Sequence, residues 1–252
     1  MAVTRPPSAA AEALDRTVLR HRLDAGLAAM GNDIDTALDD AGRDRLIAFL
    51  ALLAHWNRAY NLTAVRDPLE MVPRHLLDSL AVLPWVTRGP VLDAGTGAGL
   101  PGIPLAVARP ALQFTLLDSN GKKTRFVRQA VLELGLSNVE VVHGRLEAYR
   151  PGPKFATITV RAVASLRELF DSCAHLAAAD ARLLALKGRL PEQEIAALTA
   201  TASPSVPATG DSPTTSSVVH AATACTVHAL RVPQLDGERT LIDIPFHASA
   251  HG

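Results

Sequence analysis

The sequence predicts an α/β fold in which helices cover both faces of a mostly parallel sheet. From residue 91 onward, short and almost wholly apolar runs alternate with segments whose apolar residues recur every three or four positions. Strands that lack polar alternation are typical of parallel sheets buried on both faces. From about Leu14 to Trp85 the pattern is helical, so we expect a helical extension in front of the sheet.

The composition fits a globular protein and argues against several classes. The chain has 252 residues with a formal net charge of zero, so any contact with nucleic acid must come from a local basic patch. Cys173 and Cys225 form no C-x-x-C pair, which argues against a disulfide scaffold or a zinc site and favours a reducing compartment. The longest apolar run, residues 46–54, is too short to span a bilayer. We expect a soluble, cytoplasmic and monomeric protein without a metal.

The helical extension contains two clear patterns. In RDRLIAFLALLAHWNRAYNLT, apolar residues recur at helical spacing and end with Trp56 and Tyr60, one turn apart. These two rings could stack on a base, but we favour packing in the core because both continue the apolar stripe. A second helix is expected through PLEMVPRHLLDSLAVLPWV, with Pro68 in its first turn and a restart at Pro73.

Seven apolar runs are predicted as strands. Five belong to the parallel part of the sheet: VLDA (91–94), FTLLD (114–118), VEVVH (139–143), FATITV (155–160) and RLLALK (182–187). The segment 121–136 is the clearest helix between them, and PEQEIAALTA forms a short helix after the fifth strand. The last two runs, 226–232 and 240–246, flank an Asp-Gly turn, which indicates a C-terminal antiparallel hairpin.

These patterns divide the chain into three parts. Residues 1–12 are small, contain prolines and show no periodicity, so we expect a disordered tail. The helical extension then spans 13–88, and the domain built on the sheet spans 89–252. Within that domain, residues 203–217 are rich in Ser, Thr and Pro and are predicted to form a flexible surface insertion.

The first predicted strand runs directly into a glycine-rich loop, GTGAGLPG. Gly97, Gly99 and Gly102 fit the G-x-G-x-x-G spacing of dinucleotide sites. Gly95, Gly97 and Gly99 fit the G-x-G-x-G spacing of many S-adenosylmethionine sites. Close packing of a strand, a turn and a helix is a third explanation that needs no ligand.

Two carboxylates support a nucleoside site. Asp118 ends the next strand, where an acid can accept hydrogen bonds from both ribose hydroxyls, although it could instead cap the following helix. Glu147 follows the third strand and could reach an adenine amine or lie in solvent. Pro101 and Pro104 fall near the first turn of the helix after the loop and have no N–H for a pyrophosphate, which favours a methyl donor over NAD.

Seven motifs occur along the chain in a specific order: HWNRAYNLTAVRDPLEMVPRHLLDSL, DAGTGAGLPGIPLA, LLDSNGKKTRFVRQ, GRLEAY, VRAVASL, LALKG and LDGERTL. Together they resemble the bacterial 16S rRNA guanine-N7 methyltransferase family RsmG, also called glucose-inhibited division protein B. The resemblance runs from about Leu46 to Ile244. It is specific because the ordered set is uncommon, although the glycine motif alone is not.

The resemblance implies a Rossmann-like class I methyltransferase fold with seven strands. The implied reaction is transfer of a methyl group from S-adenosylmethionine to N7 of guanine 527 in the 530 loop of small-subunit rRNA. Carried over by motif, the donor contacts are Gly95, Leu100, Leu146, Glu147 and Arg161. The insertion at 203–217 and the extra N-terminal residues depart from the family without touching a motif.

Guanine N7 has a lone pair and no proton, so its methylation requires alignment rather than a general base. Enzymes that methylate exocyclic amines usually carry an Asn/Asp-Pro-Pro-aromatic box after the fourth strand, where this chain has Arg161. We predict that Arg161 contacts the donor or donates a hydrogen bond to guanine O6. An ion pair at the edge of the sheet is the alternative role for Arg161.

An RNA substrate requires a basic surface. The helix after Asp118 supplies Lys122, Lys123, Arg125 and Arg128 with no acid nearby, although such a face could serve solvation alone. Further cations that could extend this patch are Arg74, His75, Arg145, Arg150, Lys154, Lys187 and Arg189. Three other functions stay open on sequence alone. They are an NAD-dependent oxidoreductase, an RNA-binding ribosome-assembly factor with a vestigial donor site, and a methyltransferase for a small molecule or a protein.

Overall fold

The computed structural model of the protein describes residues 9–161, 164–200, 220–221 and 225–248. The predicted insertion at 203–217 and residues 1–8 of the predicted tail lie outside these ranges. Helix α1 (Ala9–Met30) begins inside the predicted tail, so residues 9–12 belong to a helix. Within the described ranges, no helix combines the length and the apolar character needed to cross a bilayer.

The N-terminal segment is helical, as predicted. After α1 come α2 (Asn32–Asp35), α3 (Asp40–Tyr60), α4 (Pro68–Met71), a π-helical turn (Val72–Leu77), α5 (Asp78–Leu80) and a 3-10 turn (Leu83–Trp85). Pro68 lies in the first turn of α4, behind the N-cap Asp67, whose side chain accepts a hydrogen bond from the Leu69 amide. The predicted restart at Pro73 is instead a wider π turn, because proline has no N–H with which to continue the α-helical ladder.

The strands form one large sheet and one small pair. The strands are β1 (Val91–Ala94), β2 (Phe114–Asp118), β3 (Val139–His143), β4 (Phe155–Val160), β5 (Ala177–Lys187), β6 (His220–Ala221), β7 (Thr226–Ala229), β8 (Thr240–Pro245) and β9 (His247–Ala248). Seven of them form a sheet in the order β3-β2-β1-β4-β5-β8-β7. Its pairs are parallel except β5–β8 and β8–β7, which confirms the predicted antiparallel hairpin. The sequence analysis did not predict the two-residue pair β6–β9.

The remaining helices cover the sheet, and several predicted boundaries are corrected. These helices are α6 (Gly102–Ala108), α7 (Gly121–Glu133), α8 (Leu166–Ala174) and α9 (Glu192–Ala200), with a 3-10 turn at Leu146–Ala148. Helix α7 ends at Glu133 rather than at residue 136. Strand β5 begins at Ala177 rather than at residue 182. The prediction missed its first residues because they are alanines and an aspartate, which are poor strand formers. Strand β7 ends at Ala229, and the Leu230 amide then donates to the Arg239 carbonyl at 2.7 Å.

Both faces of the sheet are buried, as the apolar strands predicted. Val91 and Leu116 contribute to one core, which α1, α3, α6 and α7 complete. The neighbouring residues Leu92 and Leu117 contribute to a second core on the opposite face. There Phe170 of α8 stacks on Phe246 with ring centroids 4.5 Å apart.

The two aromatic rings of α3 do not share one environment. Trp56 packs against the first core, with its ring centroid 5.7 Å from that of Phe126, as predicted. Tyr60 is 41% exposed, so the prediction of core packing is wrong for this residue. Tyr60 is the last residue of α3, where the helix leaves the core.

The strand order places the candidate site residues along one edge. The chain builds β1, β2 and β3 outward, and then returns to add β4 and β5 on the other side of β1. Open α/β sheets bind ligands in the crevice at the carboxyl ends of strands where the order reverses. The glycine loop and Asp118 lie on the β1–β3 side of that crevice, and Arg161 and Lys187 lie on the β4–β5 side.

Candidate functional site

The glycine loop presents bare backbone to open space. Gly95, Gly97 and Gly99 have φ angles of +71°, +59° and +83°, in the left-handed region that favours glycine. A Cβ added to Gly95 would meet no heavy atom within 4 Å, and one added to Gly97 would meet nothing nearer than 3.9 Å. Gly99 differs, because a Cβ there would lie 2.6 Å from Cδ1 of Ile103. Gly95 and Gly97 therefore leave room for a ligand, while Gly99 permits close packing against α6.

A buried carboxylate, Asp93, holds the glycine loop in place. Asp93 of β1 is 1% exposed, and its Oδ2 accepts hydrogen bonds from Thr96 Oγ1 at 2.6 Å and from the Gly102 amide at 2.9 Å. Its Oδ1 accepts from Thr159 Oγ1 of β4 at 3.1 Å. One side chain thus ties together the loop, the start of α6 and the neighbouring strand across the crevice.

The start of α6 has no amide to offer a phosphate. The Gly102 amide donates to Asp93, and the Ile103 amide donates to the Gly99 carbonyl at 2.8 Å. Pro104 has no N–H. The Asp93 carboxylate thus already accepts from the helix-start amide that a phosphate would need. The loop therefore fits a nucleoside that carries no phosphate, and it does not fit the pyrophosphate of NAD.

Asp118 lies against the glycine loop and keeps free acceptor positions. Its Oδ2 accepts from the Gly97 amide at 2.8 Å and its Oδ1 accepts from the Asn120 amide at 2.7 Å. Each carboxylate oxygen can accept a second hydrogen bond, which leaves acceptor positions for two hydroxyl groups. Asp118 does not cap α7, because the Asn120 side chain does so by accepting from the Lys122 and Lys123 amides.

Two further predicted donor contacts follow β3, the strand that pairs with β2. Leu146 and Glu147 lie in the 3-10 turn after β3, and β3 pairs with β2 so that His143 lies opposite Asp118. Leu146 is half-buried and packs against the second core, while Glu147 is exposed. Leu100 is buried in the first core, and its amide donates to the Thr96 carbonyl at 2.9 Å.

Arg161 forms an ion pair across the crevice. Its Nη2 lies 3.0 Å from Oδ2 of Asp78, and it donates to the Arg74 carbonyl at 3.2 Å. The same carboxylate accepts from Nε of Arg239 at 2.9 Å through Oδ1. The ion pair that the sequence analysis gave as an alternative is therefore present. Contact between Arg161 and a ligand stays a prediction.

A cavity of about 460 Å³ opens beside this ion pair. Its charged lining residues are Asp78, Arg161, Lys187, Arg189, Glu194 and Arg239. The Lys187 side chain is only 10% exposed, and its Nζ contacts Glu194 Oε2 at 2.9 Å and the Ala164 carbonyl at 2.6 Å. Lys187 thus belongs to the cavity wall, three strands away from α7.

Three of the four predicted cations of α7 face outward. Lys122, Arg125 and Arg128 are exposed and line an open groove of about 810 Å³. Among the described residues, no carboxylate lies within ion-pair distance of these three. Lys123 differs, because its Nζ lies 4.0 Å from the position of a Cβ on Gly97, so its ammonium group approaches the glycine loop.

His75 does not belong to a basic surface. It is buried in the π turn, with Nε2 2.9 Å from Thr63 Oγ1, and burial lowers its pKa to about 4. The suggestion that it extends the patch is therefore wrong. In the described part of the chain, no group of His, Cys, Asp and Glu side chains is arranged to hold a metal ion.

Fold and site together define a class of protein. A sheet of mostly parallel strands with one reversed strand, an open glycine loop after the first strand and an acid at the end of the second strand are features of the class I methyltransferases. A methyltransferase from Geobacter sulfurreducens has this fold, with a TM-score of 0.53 and 15% identity, covering 79% of this chain and 90% of that one.

Sequence comparison defines the family. A profile of the GidB family, described as rRNA small subunit methyltransferase G, matches residues 43–209. The ribosomal RNA small subunit methyltransferase G of Marinobacter nauticus is 51% identical over 217 residues, which cover 86% of this chain and 90% of that protein. The corresponding protein of Salmonella arizonae is 45% identical, covering 85% and 98%. The chain belongs to this family.

Three of the residues that build the site have no predicted role from the sequence. Asp93 lies in a run predicted only as an apolar strand, although a carboxylate inside such a run is itself an indication of a buried polar role. Asp78 and Arg239 lie in motifs that carried the resemblance, but no local spacing connects two residues so far apart in the chain.

Burial of Asp93 predicts a pH-dependent stability. Burial raises the pKa of this carboxyl to about 6, whereas an aspartate in an unfolded chain titrates near about 3.9. A raised pKa means that the contribution is fully present below pH of about 4 and is lost as the pH rises through about 6. We therefore expect the unfolding free energy of the wild type to increase, relative to an Asp93→Asn variant, as the pH falls from about 6 to about 4.

Urea denaturation at several pH values measures this difference. The lowered pKa of His75 gives a slope of opposite sign in the same pH range, but it is present in both proteins and cancels in the comparison. A difference that stays constant between pH of about 4 and about 6 would show that Asp93 does not titrate there.

Proposed function

We propose that the protein transfers the methyl group of S-adenosylmethionine to N7 of a guanine, guanine 527 of the 530 loop, in 16S rRNA of the small ribosomal subunit. Membership of the family supports the reaction class and the RNA substrate. The observation that carries the choice of donor is the open glycine loop, which has Asp118 beside it and no free amide at the start of α6 for a phosphate. The resemblance described above is the basis for N7 and for the position of the guanine.

The chain offers a partner for each polar part of the donor. Asp118 accepts the ribose hydroxyls, and Gly95 and Gly97 let the nucleoside lie against the backbone. Leu146 and Glu147 follow β3, the strand that pairs with β2, and can contact the adenine ring and its amine. The ammonium of Lys123 approaches the loop, where it can bind the carboxylate of the donor's amino acid part.

The acceptor guanine is placed in the cavity on the other side of the crevice. When bound, the donor supplies a methyl group made electrophilic by a sulfonium. The residues of the chain align N7 with it, and they need not remove a proton. In keeping with this, the two carboxylates in the cavity wall, Asp78 and Glu194, are both engaged with cations rather than free to act as bases.

Arg161 has donors to spare for a ligand. Its hydrogen bonds to other described residues all use Nη2, which leaves Nε and Nη1. A guanidinium can donate a hydrogen bond to O6 of guanine. Adenine carries an amino group at the same position, which is itself a donor and cannot accept that bond. Arg161 can therefore favour guanine while contacting the donor side of the crevice.

The outward face of α7 is proposed as the RNA contact. Lys122, Arg125 and Arg128 present charge that no described carboxylate neutralises, and such charge binds phosphates by releasing counterions. In this proposal residues 13–88 act as a helical extension and 89–252 as the transferase domain. Since one chain supplies every site residue named, a monomer suffices, and an rRNA substrate implies action in the cytoplasm.

The direct test is transfer of label. The protein is incubated with methyl-labelled S-adenosylmethionine and with small subunits or 16S rRNA that lack the modification, and the labelled base is mapped. We expect a single 7-methylguanine in the 530 loop. Donor and RNA binding without transfer would indicate an assembly factor with a vestigial site, and label on another base or molecule would refute the proposed acceptor.

Asp118→Asn tests the ribose contact. The amide keeps the size of the side chain but replaces one acceptor oxygen with an NH₂ group that faces either a hydroxyl or a backbone N–H. Hydrogen bonds to a charged group contribute about 1.5–3 kcal/mol, so we expect donor affinity measured by calorimetry to fall roughly ten- to hundredfold. Asp180→Asn, an exposed acid paired with Arg88, is the control and should bind the donor normally. Equal affinities in the two variants would contradict the assignment of Asp118.

Lys122→Ala tests the RNA surface. Loss of one phosphate contact should reduce the slope of log affinity for 16S rRNA against log salt concentration by about 0.7–0.9. Filter binding across a range of salt concentrations measures that slope. Arg88→Gln, a cation before β1 at the opposite edge of the sheet, should leave it unchanged. If the Lys122 variant keeps the wild-type slope, the charge on α7 serves only solvation.

A further inference from the structure

Asp78 connects three separate parts of the chain. It lies at the start of α5 in the helical extension, with a side chain that is 5% exposed. Its two oxygens hold the guanidinium of Arg161, just after β4, and that of Arg239, just before β8. A buried carboxylate is unfavourable unless it is paired, and two arginines held this close repel each other without it. Each of the three side chains therefore depends on the others for its place.

This trio forms one wall of the cavity assigned to the acceptor. Within the cavity, Lys187 is balanced by Glu194, while Asp78 balances only one of its two arginines. The wall thus keeps a surplus of positive charge, which suits RNA. The contacts of Arg161 with described residues use Nη2, which leaves its Nε and Nη1. The contacts of Arg239 with described residues use Nε and Nη1, which leaves its Nη2.

The reaction changes the charge that faces this wall. A bond forms between N7 and the methyl carbon while the bond from that carbon to sulfur breaks, and the bonding electrons leave with the sulfur. No proton moves, so the guanine ring takes over the positive charge. Two unbalanced guanidiniums beside the ring would oppose this step, because a fixed charge acts strongly on charge that develops in a site shielded from water.

We propose that Asp78 is a positioning residue for the acceptor guanine. It holds Arg161 and Arg239 on the cavity wall and offsets their charge, so that the wall binds RNA and still tolerates a ring that becomes cationic. The helical extension is thereby part of the active site rather than an appendage. This inference rests on the proposed transfer to a guanine ring nitrogen.

Asp78→Asn separates this role from a structural one. The variant leaves both arginines unbalanced, so we expect kcat to fall roughly ten- to hundredfold while the affinity for 16S rRNA, measured without donor, stays the same or increases. Donor affinity should be unchanged. An unchanged kcat would overturn the proposal, and so would a fall in kcat accompanied by equally weakened RNA binding.

Asp243→Asn is the matched control. Asp243 of β8 is also a buried acid that holds an arginine, with its side chain 1% exposed and its Oδ1 2.9 Å from Nε of Arg182. It does not line the cavity. We expect this variant to lose stability in the same way but to keep kcat within about twofold of the wild type. A similar loss of kcat in both variants would show that Asp78 acts only through stability.

Arg239→Gln tests the same wall if the Asn variant does not fold. It leaves Asp78 fully balanced by Arg161, so we expect weaker RNA binding and a salt slope lower by about 0.7. An unchanged slope would overturn the proposal. Transfer by the wild type is measured in parallel, so a failure of the proposed function, with no label transferred by the wild type, is distinct from a failure of this inference.

Discussion

The Asp93 carboxylate is the constraint on which the donor side of the site depends. It takes the first amide of α6, a loop hydroxyl and a hydroxyl of β4 as its partners, so the loop cannot move without breaking a buried charged hydrogen bond. By filling the helix start with its own negative charge, the chain removes the feature that attracts phosphates to many glycine loops. The same loop sequence therefore serves a nucleoside with a cationic sulfur rather than a dinucleotide.

A second carboxylate organises the other side of the crevice in a comparable way. Asp78 comes from the helical segment, and its partners follow β4 and precede β8, so the cavity proposed for the acceptor is complete only when that segment is docked on the sheet. The segment shares one apolar core with α6 and α7, which holds the docking in place. Asp93 and Asp78 thus hold the two halves of the site in place. Asp118 and Arg161, at the carboxyl ends of β2 and β4, keep acceptor and donor positions that no described residue uses.

The sequence predicted the parts of the structure that local patterns control. Four strands match their predicted bounds because each is a short apolar run with clear breaks on both sides. With these bounds, the sequence also predicted that Asp118 ends β2 and that Arg161 follows β4. The alanine-rich start of β5 was missed because its residues carry no strand preference. The ion pairs of Asp78 could not be predicted from the sequence for another reason. They join residues from distant parts of the chain, and only the folded topology brings those residues to one edge.

The distribution of charge explains how a chain with no net charge can bind RNA. Twenty-five acidic residues balance twenty-five basic ones overall, but they are not evenly spread. Within the fold, ion pairs with cations engage three acids: Asp78, Asp243 and Glu194. On the face of α7, by contrast, no described acid pairs with Lys122, Arg125 or Arg128. An exposed cation without a partner can neutralise an RNA phosphate and release the counterions condensed on the RNA, whereas a cation in a buried ion pair cannot. A net charge of zero is therefore compatible with the proposed RNA contact, because that proposal depends on the pairing of individual side chains.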